Sequence, residues 1–520
     1  MGDPEKQPGP ELERQTQKLR DHAVVRPQGG MPMRSSDLRS GEEAVVIGGS
    51  MAGLLAARVL ADRFDRVTVI DRDRFPDGAK FRKGVPQSRH LHALLASGLQ
   101  ILEQLFPGLE AEWVAAGAVP IEWPRDMLVL TRRGWSDRFP TGIKILSASR
   151  EFLEWGVRRR VAAFGNVRFL EGRDVTGLLA DADRRRVEGL RIRARSSGGG
   201  QEAAAEELRA GLVVDASGRN SRAPEWLAEL GYSPPAKATV TSFLGYASCY
   251  YAIPADFDAD WRVLFLQADP AANARGGVLF PIEGNRWMVT LAGRGRDYPP
   301  TDEEGFLAFA GSLRSPLLHE AIRGAERLTP IHAYRQTDNQ RRFYERLPRL
   351  PQRFLVIGDG VCAFNPLYGQ GMTVAAQSAL VLDRLLRERS NGALGDLPAR
   401  FQREVARVSA AAWLMATGED LRYPTTEGGE RTLQLRLTHR YLDRVIGAAI
   451  RDKIVGLAFG KVAQLVAPPT TLFRPGILLR ALLHGGARGT GAPPTTTGVS
   501  NRDRQRERHP PLADRRLPSG

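Results

Sequence analysis

Cysteine is nearly missing: Cys249 and Cys362 are the only two in 520 residues. Two thiols so far apart build neither a disulfide framework nor a zinc site, and they suit a reducing compartment. No apolar run of about 18 residues occurs, so no spanning helix is expected. The first residues, MGDPEKQPGPELERQTQKLRDH, carry no apolar signal-peptide core, and Met31 or Met33 offers a later start. A cytoplasmic protein is the simplest expectation. The net charge of +15 comes without zinc-finger spacing, an aromatic RNA-binding signature or a heptad zipper. Arginine is spread along the whole chain, so the charge reads as solvated surface and basic tail. A specific nucleic-acid site is not expected.

What is present alternates between strand and helix patterns. Residues 1–41 and 486–520 read as polar tails. AVVIGG, the small-residue helix MAGLLAARVLADRF and the strand RVTVIDRD form a βαβ opening, which favours a parallel sheet. LHALLASGLQILEQL and EFLEWGVRRRVAAF carry helical spacing. Residues 236–345 differ, with short strand-like runs VTSFLGYASCYYAI (from Val240), WRVLFLQAD, GGVLFPIEG and NRWMVTLAG, as of a mainly antiparallel sheet. RFLVIGD restores a parallel strand, and 397–485 reads as helical. The predicted fold is α/β: a dinucleotide-binding unit over 42–235 and 346–396, a substrate sheet over 236–345 to which about 115–146 contributes, and a helical C-terminal region.

Three anchors carry the chemistry. The first is the turn Gly48–Gly49–Ser50–Met51–Ala52–Gly53, where the usual Gly-x-Gly-x-x-Gly has serine at its middle position. A helix N-terminus presents unpaired N–H groups to a pyrophosphate. Asp71, 23 residues after Gly48 and at the end of the second strand, can accept from a ribose hydroxyl, with Arg72 beside it. In this reading Gly49 keeps the turn flexible and the Ser50 hydroxyl lies near the phosphates. The second anchor is FLVIGDGVCAFNPLYGQGMTVAA, where a strand delivers Asp359 and a loop with Pro366, Gly369 and Gly371 opens a helix. Its first amides, at Gly371, Met372 and Thr373, would form a second anion site. The third is LVVDASGRNSRAPEWL, with Asp215 at a strand end and Ala216 where a glycine is usual.

The second anchor resembles the Gly-Asp motif of the flavoprotein aromatic hydroxylases, the p-hydroxybenzoate hydroxylase fold family. The resemblance implies FAD, with Asp359 on the ribityl chain and the glycines of 369–373 beside the isoalloxazine ring. It departs at Gly360–Val361–Cys362, where many relatives have Ala-Ala-His. The third anchor sits where the family handles FAD and NAD(P)H, and Ala216 weakens a claim for NAD(P)H there. Among FRKGVPQSRHLHALL, Arg89 is the arginine expected to reach the flavin or its pyrophosphate. Arg150, opening the helix after SAS, is a further candidate, against an ordinary helix-start role. His90 and His92 read equally as acid/base groups or as packing. VTVIDRDRFPDGAKFRKGVPQSRHLHALL and FNPLYGQGMTVAA look closest to bacterial polyether-polyketide epoxidases of lasalocid and monensin type.

The resemblance implies a monooxygenase: reduced flavin and O2 give a C4a-hydroperoxide whose distal oxygen passes to a lipophilic substrate. Electrons would come from NAD(P)H or a partner flavin reductase. No nucleophile–base pair, paired carboxylates or metal-ligand cluster stands out, and no catalytic residue is nominated. Alkene epoxidation needs no such group, whereas a phenol hydroxylase gains from a base. The aromatics Phe243, Tyr246, Tyr250, Tyr251, Trp261, Phe265, Phe280 and Trp287 suit an apolar pocket or plain sheet core. Rivals of the same fold are an aromatic hydroxylase, a geranylgeranyl-type reductase and a halogenase, though no Trp-x-Trp occurs and Lys80 and Lys83 sit in another context. The stretch 451–486, apolar and edged by basic residues, offers a membrane-surface contact or packs on the flavin unit.

Overall fold

Five apolar runs far apart in the chain line up as one parallel sheet, in the order 354–356, 212–215, 43–47, 66–71 and 167–171. The computed structural model describes residues 42–92, 94–195, 204–388, 394–486, 489 and 492–494, so the tail 1–41 and most of 486–520 lie outside it. Ile47 pairs with Asp215, and Asp215 with Val356, so three strands end level. The turns that follow them gather at one carboxyl edge, where ligands of open α/β sheets bind.

The helix Met51–Ala61 lies against this sheet and against the helix Gly371–Arg387. Its small residues Ala52, Gly53, Ala56 and Ala57 allow close approach, while Leu54, Leu55, Val59 and Leu60 fill the core. Gly53 is forced by its surroundings: a Cβ there would stand 1.8 Å from the Gly48 carbonyl oxygen.

A second sheet of seven strands has the order 332–334, 245–252, 286–293, 275–282, 263–266, 127–131 and 134–135. All its pairings are antiparallel except that of 263–266 with 127–131. Along 245–252 the side chains alternate. Ala247, Cys249 and Tyr251 join a core with Trp287, Phe306 and Phe309, under the helices Glu303–Gly311 and Leu317–Ile322. Tyr246 faces the other way, towards Tyr334 and Leu367. The C-terminal region is helical over Leu397–Asp420, Leu433–Ala449, Lys453–Ala463 and Pro475–His484. The fold is therefore α/β and Rossmann-like, with a mainly antiparallel second sheet and a helical C-terminal region. Among the described residues no helix is long and apolar enough to cross a membrane.

Local expectations shift in two places. The helix expected from Leu91 begins only at Ala96, because Leu94 bridges to Leu146 and Leu95 is extended. The strand expected from Val240 begins at Gly245, since Phe243 adopts a left-handed φ of 47°.

Gly53→Ala should destabilise the fold by about 2–3 kcal/mol, because a backbone oxygen cannot yield to the new methyl. Urea unfolding measures this, and an unchanged midpoint would contradict the packing described.

Candidate functional site

A cleft of about 530 Å³ runs along the carboxyl edge of the parallel sheet. Two helix N-termini open into it, Met51 of one and Gly371 of the other. Neither cap residue, Ser50 or Gln370, bonds its side chain to the helix amides. Uncapped amides at the positive ends of two macrodipoles, both lining one cleft, suit an anionic ligand.

One end of the cleft is organised by Arg82, a residue not singled out from the sequence. Its Nε donates to Glu154 Oε1 at 2.7 Å, and its Nη1 lies 3.2 Å from Asp71 Oδ2 and 3.3 Å from Asp73 Oδ2. Its Nη2 donates to the Gly49 carbonyl at 3.3 Å. Asp71 in turn accepts the Gly49 N–H at 2.8 Å and the Asp73 N–H at 2.8 Å. Glu154 accepts from the Ser50 hydroxyl at 2.7 Å and pairs with Arg150 Nη2 at 2.8 Å. Burial alone would push the Glu154 carboxyl up; Arg150 and Arg82 outweigh it and hold it below its usual range.

Ser50 lines the cleft as expected, and the geometry adds partners to it and to Gly49. Ser50 is small because its hydroxyl bridges Glu154 and Arg150, which donates to it at 2.9 Å. Gly49 is needed for close approach: a Cβ there would stand 2.4 Å from the Phe75 ring. Arg89 does not line the cleft. It stacks over Phe81 and sits 3.3 Å from His332 Nδ1, while Arg82 of the same loop reaches inward. Arg150 does line it, and its Nη1 is buried without a hydrogen-bond partner.

The remaining candidates divide the same way. Gly48, Met51, Ala52, Asp71 and Arg72 line one end, and Asp359, Pro366, Gly369, Gly371 and Met372 the other. Gly53, Asp215 and Thr373 lie behind the wall. Asp215 is fully buried and accepts from the Ser217 N–H and the Ser221 hydroxyl, so it shapes the turn 216–221. Burial pushes the Asp359 carboxyl up, opposed by Arg219 and Arg150.

A second buried carboxylate, Asp420, lies at the far end, where no sequence motif marks it. Asp420 accepts from Asn339 at 2.7 Å, Asn365 at 3.0 Å and the Tyr368 hydroxyl at 3.1 Å, with Arg294 at 3.8 Å. It ties the loop of Pro366 and Gly369 to the end of the strand Arg286–Gly293. Above that loop, His90 bonds Ser248 Oγ at 2.9 Å and lies edge-on to Tyr246. Burial drives the His90 imidazole down to about 3, and that of His92, which lines the cleft, down to about 4.

The FAD-dependent oxidoreductases match residues 43–385, which carry all of these turns. The chain belongs to that family. FAD is accordingly its cofactor, and the chain is an oxidoreductase. It is 34% identical over 452 residues to protein Rv3254 of Mycobacterium tuberculosis, covering 85% of this chain and 94% of that one. Among solved structures, its fold is shared with the flavin-dependent brominase Bmp2, at a TM-score of 0.57 and 16% identity over 85% of this chain and 98% of that one. It is likewise similar to PqsL, a probable FAD-dependent monooxygenase from Pseudomonas aeruginosa, at a TM-score of 0.53 and 17% identity over 74% and 98%. The cleft fits the cofactor. Both uncapped helix ends face it, Arg150 keeps a free donor there, and Gln370 Oε1 is buried and unpartnered in its wall. A Cβ at Gly371 would meet nothing nearer than Asp359 at 3.9 Å, leaving room for a flat ring.

Visible absorbance of the purified protein tests these positions. Asp359→Ala and Ser50→Leu should emerge colourless, while Ser50→Gly should stay yellow with FAD bound about tenfold more weakly, the loss of one charge-assisted contact. A normally yellow Asp359→Ala protein would remove that residue from the site.

Proposed function

We propose that this protein is an FAD-dependent monooxygenase that inserts one atom of O2 into a lipophilic small molecule, in a manner closest to alkene epoxidation of a polyketide or terpenoid. When bound and reduced, FAD supplies the activation of O2. The amides of Met51 and Ala52 and the free Nη1 of Arg150 would take the pyrophosphate. Asp71 and Arg72 would stand at the adenosine ribose, Asp359 at the ribityl chain, and the backbone of 369–372 beside the ring.

The observation that carries the choice of reaction is the state of the two histidines. His92 lines the cleft and His90 packs behind it against Ser248 and Tyr246, and burial lowers both imidazoles, to about 4 and about 3. A base that deprotonates a phenol works best with a pKa near the operating pH. Neither histidine meets that need, and an electron-rich alkene does not require it. The substrate wall would come from Tyr334 and Phe364 in the cleft, with Tyr246 behind them. Those aromatic rings would shield the reacting end of the cleft from water, as oxygen transfer demands. Of the other aromatics, Tyr251 and Trp287 belong to the core under the helices, and Phe265 and Phe280 to the packing of the sheet on 119–147.

Incubation with candidate polyene or terpenoid alkenes under isotopically heavy O2, with NAD(P)H and with or without an added flavin reductase, tests the reading. One heavy oxygen atom should enter the product, and the reductase arm identifies the electron source. A saturated or brominated product without the label would contradict it.

A further inference from the structure

Helix Pro475–His484 buries only Ile477 and Ala481 as large contacts with the body of the protein. Leu478, Leu479, Leu482 and Leu483 remain 39, 58, 52 and 67% exposed. At about 100° per residue these four fall within an arc of about 140°. Beside it, helix Leu433–Ala449 buries its last turns and exposes Leu433 and Leu437 in its first. Phe473, half exposed and stacked on Tyr441, leads into the final helix. The two helices share one apolar cluster through Val445, Ala448, Ile477 and Ala481, and Arg444 Nη1 donates to the Leu482 carbonyl at 3.3 Å. Among the described residues, seven of the ten exposed large hydrophobics belong to this one stretch, which makes it a patch rather than scatter.

Charge decides what covers it. From 431 to 486 there are nine Lys and Arg against two acids. Both acids are engaged: Asp443 with Arg132 and Arg422, Asp452 as a helix cap and with Arg480. Arg436, Arg440 and Arg474 are exposed beside the leucines. A second copy of the same face would bring these cations against their like. A bilayer with anionic headgroups accepts both features at once, taking the leucines at the acyl boundary and the guanidinium groups at phosphate level.

We propose that the face formed by helices Leu433–Ala449 and Pro475–His484 docks on an anionic lipid surface. The helix Lys453–Ala463 joins this face to the second sheet. Val455, Ala458 and Val462 pack under the docking helices, and Leu457 packs with Val263 and Phe280 of the sheet. A lipophilic compound dissolved in the bilayer would thus be held one helix away from that sheet. The docking itself is independent of the chemistry at the cleft.

Co-sedimentation of the full-length holoprotein with vesicles tests it, using equal parts phosphatidylglycerol and phosphatidylcholine against phosphatidylcholine alone. The protein should bind the anionic vesicles. The double variant Leu479→Ser/Leu483→Ser should lose roughly tenfold or more of that partitioning, with unchanged flavin absorbance and melting temperature. Arg436→Gln/Arg440→Gln should lose several-fold and remove most of the salt dependence. Absence of vesicle binding would overturn the proposal, as would binding indifferent to the leucine substitutions. Light scattering gives the other overturning result: a dimer that the leucine variant converts to monomer, without vesicle binding, would assign the face to a second copy.

Discussion

A buried guanidinium cannot stand alone. Taking Arg82 out of water costs several kcal/mol unless carboxylates and carbonyls replace its hydration. Here Asp71, Asp73, Glu154 and the Gly49 carbonyl do so, and they come from three different pieces of the cleft. Asp71 ends the second strand, Gly49 lies in the turn before the first helix, and Glu154 sits on the helix Arg150–Ala162. One side chain therefore fixes the distances among three elements that contribute nothing to one another by local propensity. Through Glu154 the same cluster aims Arg150 and Ser50, leaving Arg150 Nη1 as a donor held in place before any ligand arrives. Donors fixed in advance bind an anion without a cost of reorganisation.

The far end of the cleft uses the same device with a carboxylate at the centre. Asp420, at the last turn of a 24-residue helix, gathers Asn339, Asn365, Tyr368 and Arg294. The loop carrying Pro366 and Gly369 is thereby tied to the second sheet. A substrate pressing on that sheet and a ring lying on that loop would share one rigid frame. His90 and the stacked Tyr246 and Tyr334 pack against one another beside that frame.

Much of this was legible in the sequence where the information is local. The strand–turn–helix at 43–61 and the loop at 354–373 each announce themselves within about 20 residues, because glycine placement and apolar runs are set by the backbone. Long-range partners were not legible. Nothing near Ser50 in the sequence says that Glu154, 104 residues away, holds its hydroxyl. The loop FRKGVPQSRH offers two arginines, and nothing in their spacing says that Arg82 turns inward and Arg89 stacks on Phe81. Asp420 closes an ordinary helix pattern, and only the packing of three other segments reveals its use. The leucines of 478–483 allow either a surface contact or packing on the flavin unit, because periodicity shows a face but not which neighbour covers it.

The central claim is that the cluster around Arg82 builds the cofactor end of the cleft. Titration of the unliganded Arg82→Met protein with FAD, followed by flavin fluorescence, tests it most directly. Without Arg82 the Glu154 carboxylate no longer holds Arg150 and Ser50 in place, so affinity should fall by roughly tenfold or more, the loss of one or two charge-assisted contacts. An Arg82→Met protein that binds FAD as tightly as the unaltered chain would contradict the account.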